Sequence, residues 1–159
     1  INLATGREVS YNIPYNNRYK AFGDKTLVNG IRGSGAFDDS QWQGFEGTDM
    51  DVIIDLGSEM AVTLISSRFM ANVGSWIFLP EQVEYSYSAD GESFAPLQTI
   101  VTSLKPEEQG NRTEEYFASF PDVTARYIRV VARGLGTCPP WHAGAGGKAW
   151  LFCDEIIVE

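Results

Sequence analysis

The clearest pattern in the chain is a period-two alternation of apolar and polar residues in short runs. Gln82-Val-Glu-Tyr-Ser-Tyr-Ser88 puts Val83, Tyr85 and Tyr87 on one side and Glu84, Ser86 and Ser88 on the other. That is the mark of a strand with one wet face. Arg126 to Ala132 repeats it, with Ile128, Val130 and Ala132 opposite Tyr127, Arg129 and Val131. Asp51-Val-Ile-Ile-Asp-Leu-Gly57 is a more continuously apolar run closed by glycine, and Val62 to Ala71 holds another around Val62, Leu64 and Ile65. Phe94 to Val101, Thr113 to Phe120 and Trp150 to Val158 complete the predicted strands. Asp90-Gly91 is a hairpin-turn dipeptide between the strands that flank it.

No window carries a sustained helical stripe. About eight short strands with closely spaced turns predict an all-β jelly-roll sandwich. Neither an internal repeat nor a low-complexity linker interrupts it, so residues 1–159 read as a single domain. Three connections are longer than a sandwich needs: Tyr15 to Phe45, glycine-rich at Asn29-Gly-Ile-Arg-Gly-Ser-Gly35; Asn72 to Pro80; and Gly134 to Lys148. Loops of such length usually carry function.

Composition narrows the function classes. At 159 residues the chain is long enough for one sizeable core. Twenty-one acidic against twelve basic side chains leave a net charge of −9. Nucleic acid is therefore a poor partner, because phosphate contacts draw on Lys and Arg, and an anionic membrane surface is disfavoured for the same reason. No run approaches the roughly 18 apolar residues that span a bilayer. The chain opens at Ile1 rather than Met and reads as a piece of a larger or processed protein. Aromatics reach 13%, which suits packed sheets or stacking surfaces.

Catalysis finds little support. His142 is the only histidine, and no serine sits in a Gly-x-Ser-x-Gly elbow. The acid pairs Asp38-Asp39, Asp49 with Asp51, and Asp154-Glu155 read as solvated surface acids. Adjacency in sequence does not set two carboxyls across a cleft, as glycoside hydrolysis requires. Cys138 and Cys153 either tie the third loop to the last strand as a disulfide or stay reduced; spacing alone does not fix the geometry. Without nearby histidines they cannot complete a zinc site.

The third loop is the most informative segment. Trp141 follows two prolines and precedes the flexible Ala143-Gly-Ala-Gly-Gly147, with His142 and Lys148 as polar flanks. An exposed indole beside hydrogen-bonding side chains suits a pyranose, whose C–H face lies on the ring while its hydroxyls reach the donors. Alternatively, Trp141 plugs the end of the sandwich and His142 caps a backbone group. Trp76 and Phe78 share a face if their segment is extended, and at least one of them belongs to the core. Arg32 can donate to vicinal hydroxyls or pair with Asp38 or Asp39. The candidate sugar contacts are therefore Arg32, Trp76, Phe78, Trp141, His142 and Lys148. A calcium ion is a separate possibility: Asn29, Ser34 and loop carbonyls join Glu155 if the last strand runs beside the first loop.

Several of these segments together resemble the discoidin-like (coagulation factor 5/8 type C) family. They are Leu27-Val-Asn-Gly-Ile-Arg-Gly-Ser34, Trp42-Gln-Gly-Phe45, Asp51 to Gly57, Trp76-Ile-Phe-Leu-Pro-Glu-Gln-Val-Glu84, Ser88 to Gly91, Ala125 to Val131 and Gly147 to Ile156. More narrowly, the chain looks like the version fused behind the catalytic domains of bacterial chitobiases and β-hexosaminidases, especially those of gut Bacteroides. The resemblance implies an eight-stranded jelly roll whose loops at one end bind glycan ends of the galactose, N-acetylglucosamine or N-acetylgalactosamine type. It implies a non-catalytic carbohydrate-binding module, or else a structural module packed on a parent catalytic domain, in a secreted, periplasmic or outer-surface bacterial enzyme. It also implies a structural calcium near an Asp-Gly-Asp turn and a late Glu. Here the turn reads Asn29-Gly-Ile31, while Glu155 matches the late acid.

Overall fold

The computed structural model describes residues 1–159. Seven strands form in chain order: β1 (Glu8–Tyr11), β2 (Gln43–Glu46), β3 (Met50–Asn72), β4 (Gln82–Ser88), β5 (Ala95–Val101), β6 (Asn111–Arg133) and β7 (Trp150–Val158). The only helical elements are 3-10 stretches of one or two turns, at Asn17–Tyr19, Gly23–Val28, Val73–Ser75 and Pro106–Glu108. None is long and apolar enough to cross a membrane.

β3 and β6 have 23 residues each and organise the molecule. A straight strand of that length would run roughly 75 Å, far beyond a domain of this size. Both therefore bend. The β3–β6 register breaks between Asp55 and Met60 and again between Val62 and Leu64, and Gly57 in the first break has φ +88°. Each long strand thus serves two layers. In one, Met50–Asp55 pairs with β1 and with Tyr127–Ala132, and β4 and β5 follow beyond β6. In the other, Leu64–Asn72 pairs with Asn111–Ser119 on one side and β7 on the other, with β2 outside β7. The predicted pairs 51–57 with 62–71 and 113–120 with 126–132 are the arms of these two bent strands. β1 and β2, four residues each, lie in stretches the alternation pattern leaves unassigned.

The core lies between the layers. Val52, Ile54, Leu56, Val83, Tyr85, Ile128, Val130 and Ala132 face Ile65, Phe69, Tyr116, Ala118, Leu151, Cys153 and Ile156. Two tyrosines bring hydroxyls into this apolar space, and both are satisfied: Tyr85 donates to the Tyr116 carbonyl (2.6 Å) and Tyr116 to the Pro80 carbonyl (2.9 Å). The Ser67 hydroxyl, 2.6 Å from the Tyr85 oxygen, completes the chain as a donor.

Because each long strand turns back at its bend, Met50, Asn72, Asn111 and Arg133 gather at one end: Met50 opposes Ala132, and Asn72 opposes Asn111. The connections 73–81, 102–110 and 134–149 all emerge there.

Candidate functional site

At this end the third loop closes on itself. Thr137 bridges to Lys148, Cys138 exchanges backbone hydrogen bonds with Gly146 and Gly147, and Ala145 N–H reaches the His142 carbonyl at 3.0 Å. His142 then ties this loop to the second one. Its Nδ1 accepts from Gly144 N–H at 2.9 Å, which leaves Nε2 as the protonated nitrogen, donating to the Val73 carbonyl at 2.5 Å. The imidazole is 8% exposed, with both nitrogens engaged. His142 positions the loops and offers no free polar group to a ligand.

The same contact sets the aromatic residues. Trp76 caps the Val73–Ser75 turn in the left-handed region (φ +69°), and its carbonyl accepts from Trp150 N–H at 2.8 Å. This kink breaks the alternation that would have put Trp76 and Phe78 on one face. Phe78 turns inward to a small cluster with Cys138 and Ala149, 1% exposed, while Trp76 turns outward. The Phe78 contact is thereby corrected: it is core, and its ring abuts His142 at 5.5 Å between centroids. Trp76 and Trp141 lie 6.1 and 5.8 Å from the His142 ring and remain 38% and 50% exposed. Two half-exposed indoles thus flank one buried imidazole. Lys148, exposed and without a carboxylate partner, lays its stem over Gly47 at the base of the loop.

Arg32 is not part of this platform. It pairs with Glu115 of β6 at 2.5 Å rather than with Asp38 or Asp39. Asp39 instead takes the Ser34 hydroxyl and N–H at 2.6 and 2.7 Å. The turn around Arg32 is held from beneath by β7. Asp154 accepts from Gly33 N–H (2.7 Å) and forms an ion pair with Arg68, whose guanidinium lies 5.3 Å from the Trp42 ring. Glu155 accepts from Gly30 N–H at 2.8 Å. Asp154 and Glu155 are therefore buried rather than solvated, which reverses the surface reading of that pair. Burial pushes the Glu155 carboxyl up to about 8, with Asp154 adding to the rise and the Gly30 N–H and Arg32 opposing it. Asp154 is also raised, since desolvation outweighs the Gly33 and Arg68 contacts.

This acidic pair is where a calcium would sit. One oxygen of each carboxylate, Asp154 Oδ1 and Glu155 Oε1, is buried without a partner. Glu155 fits a cation on that ground. Asn29 and Ser34 fit less well, because the Asn29 amide oxygen already accepts from Ile31 N–H and the Ser34 hydroxyl is held by Asp39. Both cysteines are free and buried, Cys138 beside Phe78 and Cys153 in the main core, so the disulfide alternative falls away.

A further concavity of about 290 Å³ lies apart from the sequence candidates, between Asn17–Ala21 and Asp38–Trp42. Its lining comes from two stretches of the first loop that only folding brings together. Arg18 and Lys20, two apart in the sequence, are its one local signal in the chain.

No curated protein matches the chain. Among solved structures, chitosan-binding module 1 of a chitosanase/glucanase from Paenibacillus sp. IK-5 superposes with a TM-score of 0.63 at 14% identity, covering 100% of this chain and 98% of that one. The CpGH89CBM32-5 module of Clostridium perfringens, solved with GalNAc-β-1,3-galactose, gives 0.64 at 14% identity over 99% of both chains. A Ruminococcus gnavus GH29 fucosidase gives 0.65 at 15% identity; 99% of this chain matches it, spanning only 26% of the fucosidase. These likenesses establish the jelly-roll sandwich. Residues 15–155 match the F5/8 type C domain, and the chain belongs to that family.

Proposed function

We propose that the chain is a non-catalytic glycan-binding module that holds an attached glycoside hydrolase, of the chitobiase or β-hexosaminidase kind, on its substrate outside the cytoplasm. The observation that carries this reading is the pair of half-exposed indoles, Trp76 and Trp141, fixed about one buried histidine. A rigid apolar ring face takes the C–H face of a neutral pyranose at small entropic cost. Lys148 and the carbonyls of the loops serve the hydroxyls. Support comes from relatives of the same fold that carry chitosan-binding or GalNAc-β-1,3-galactose descriptions.

One sugar buries little area, so binding is weak, with dissociation constants of about 0.1–1 mM, or roughly 4–5.5 kcal/mol. Tethering makes such contact useful by raising the local concentration of enzyme on a polymer. The test is titration of the chain with N-acetylglucosamine, galactose, N-acetylgalactosamine and their oligosaccharides, read by indole fluorescence and a glycan array. Binding that disappears in Trp76→Ala or Trp141→Ala supports the reading. Loss of every glycan signal in the intact chain, with a gain in thermal stability when it is joined to its catalytic domain, favours a purely structural module.

The buried acidic pair under Gly30 belongs to the same proposal. Glu155, whose Oε1 is buried without a partner, would hold a calcium ion together with loop carbonyls, and the ion would neutralise buried charge and stiffen the first loop.

A further inference from the structure

Seven of the twelve basic side chains form ion pairs with carboxylates, while Arg7, Arg18, Lys20, Lys105 and Lys148 do not. In a chain with a surplus of nine acids, two unpaired cations in one concavity are unusual, and Arg18 and Lys20 line the same one. Asp38 lines it as well, yet forms an ion pair with neither.

Both cations stand on a stiff mount. Asn16 caps the turn by accepting from Arg18 N–H at 2.9 Å, and its own N–H reaches the Gly44 carbonyl at 2.8 Å. The Lys20 carbonyl accepts from Gly23 N–H and from the Thr26 hydroxyl. The Arg18 guanidinium lies 5.6 Å from the Tyr19 ring, which packs edge-on to Trp150 at 5.1 Å and against Phe152 at 5.0 Å. The buried face of Trp42 forms part of the wall, and its indole N–H is already given to the Ser34 carbonyl at 2.9 Å.

The backbone adds an independent sign. Only three residues other than glycine have positive φ: Trp76, already in the aromatic platform, and Ala21 (+48°) and Ser40 (+67°), both of which line this concavity. Such conformations cost on the order of 1 kcal/mol each and concentrate at binding sites. A volume of about 290 Å³ is enough for one monosaccharide.

We propose that this concavity is a second subsite for a single anionic sugar residue, whose acid group is gripped by Arg18 and Lys20 while Asn17, Ser40 and Asp38 meet its hydroxyls. The acid group is a carboxylate, as in a uronic acid, or a sulfate ester; both offer planar or tripodal oxygens to a guanidinium fork and an ammonium. The subsite rests on the glycan-binding reading but not on the tryptophan platform, so the two can fail separately.

Amide and side-chain NMR of the intact chain separates them. The chain is titrated with glucuronic acid, with galactose 6-sulfate, with neutral galactose and with inorganic sulfate. The expected result is that one or both acidic sugars shift signals of residues 17–21 and 38–42, weaken as ionic strength rises, and bind about tenfold or more weakly to Arg18→Gln/Lys20→Gln. The variant leaves the Trp76 and Trp141 indole shifts caused by neutral glycans unchanged. The proposal is overturned if neutral galactose shifts residues 17–21 as strongly, if inorganic sulfate alone matches the acidic sugars, or if neither acidic sugar reaches these residues. Absence of indole shifts with every neutral glycan would remove the platform instead.

Discussion

The indole of Trp76 lies so close over Gly144 that a Cβ built on that glycine would stand 2.3 Å from Cε2 of the ring, and one on Gly147 would stand 2.7 Å from Cζ3. The two glycines of the third loop are the bed on which a residue of the second loop rests. His142, hydrogen-bonded to Val73 and to Gly144, fixes the distance between them. The exposed platform is thus made by what lies beneath it.

Gly144→Ala follows from that contact. The added methyl must displace the ring, at a cost of about 1–3 kcal/mol in unfolding free energy, because overpacked sites relax poorly. The variant is expected to lose glycan binding although no exposed residue has changed. Urea unfolding paired with glycan titration measures both effects, and a variant with unaltered affinity would detach Trp76 from the site.

Trp141 and Phe78 should separate binding from stability. Phe78→Ala empties a buried position and is expected to cost about 3–5 kcal/mol. Trp141→Ala removes a ring that is 50% exposed and should change stability by less than about 1 kcal/mol while removing sugar binding. Thermal melts of the two variants beside a common titration series give the contrast.

Acid should weaken the fold through two arginine-paired aspartates. The Arg126 hydrogen bonds hold Asp55 below the usual carboxylate range, against a smaller opposing effect of burial. Burial raises Asp51, but its bonds to Arg129 and Asn12 and the nearby arginine charges more than offset this, so it too is lowered. A carboxyl depressed in the folded state contributes stability that is fully present above its unfolded value, near about pH 4, and is lost as pH falls through the lower folded value. Unfolding free energy should therefore be flat in this respect above about pH 5 and fall below about pH 4. Asp55→Asn is expected to lower stability at neutral pH and to make the acid limb shallower, as read from denaturant midpoints across the pH range.

Calcium should raise the unfolding midpoint of the intact chain, and a chelator should reverse the gain. At a calcium concentration about a hundred times its dissociation constant the stabilisation is roughly 2.7 kcal/mol. Glu155→Gln is expected to abolish the increment, since it removes the charge on the buried oxygen that has no partner in the protein. Calorimetry with and without the ion measures it. An equal melting point in both conditions would mean that Glu155 is satisfied by a proton instead.

Much of the sandwich was legible in the chain because strand alternation is local. Val83 and Tyr85 are in the core and Tyr87 packs against it, while Ile128, Val130 and Ala132 are fully buried, as period two required. The Asp90-Gly91 turn was equally readable: the Asp90 carboxylate accepts from Glu92 and Ser93 N–H, and Gly91 takes φ +81°. The joining of strands was not readable. A bend within β3 and one within β6 look in sequence like two turns between four strands.

Residues 76–79 show where alternation stops being informative. Ile77, Phe78 and Leu79 are all 1% exposed, each in a different apolar cluster, because the chain crosses there between layers instead of running along one sheet. The left-handed turn at Trp76 that makes this possible leaves no trace in the residue types.

What the sequence by itself determined is the class of fold, the place of the long loops and an aromatic-rich, acidic composition, since alternation, turn dipeptides and charge balance act over a few residues or over the whole chain at once. Tertiary structure alone decided which members of each pair face outward. Trp76 is presented and Phe78 enclosed, Arg32 meets Glu115 across 83 positions, and Asp154 and Glu155 lie beneath a turn more than a hundred residues earlier. Burial and ion pairing are properties of neighbours in space, and no spacing along the chain sets them.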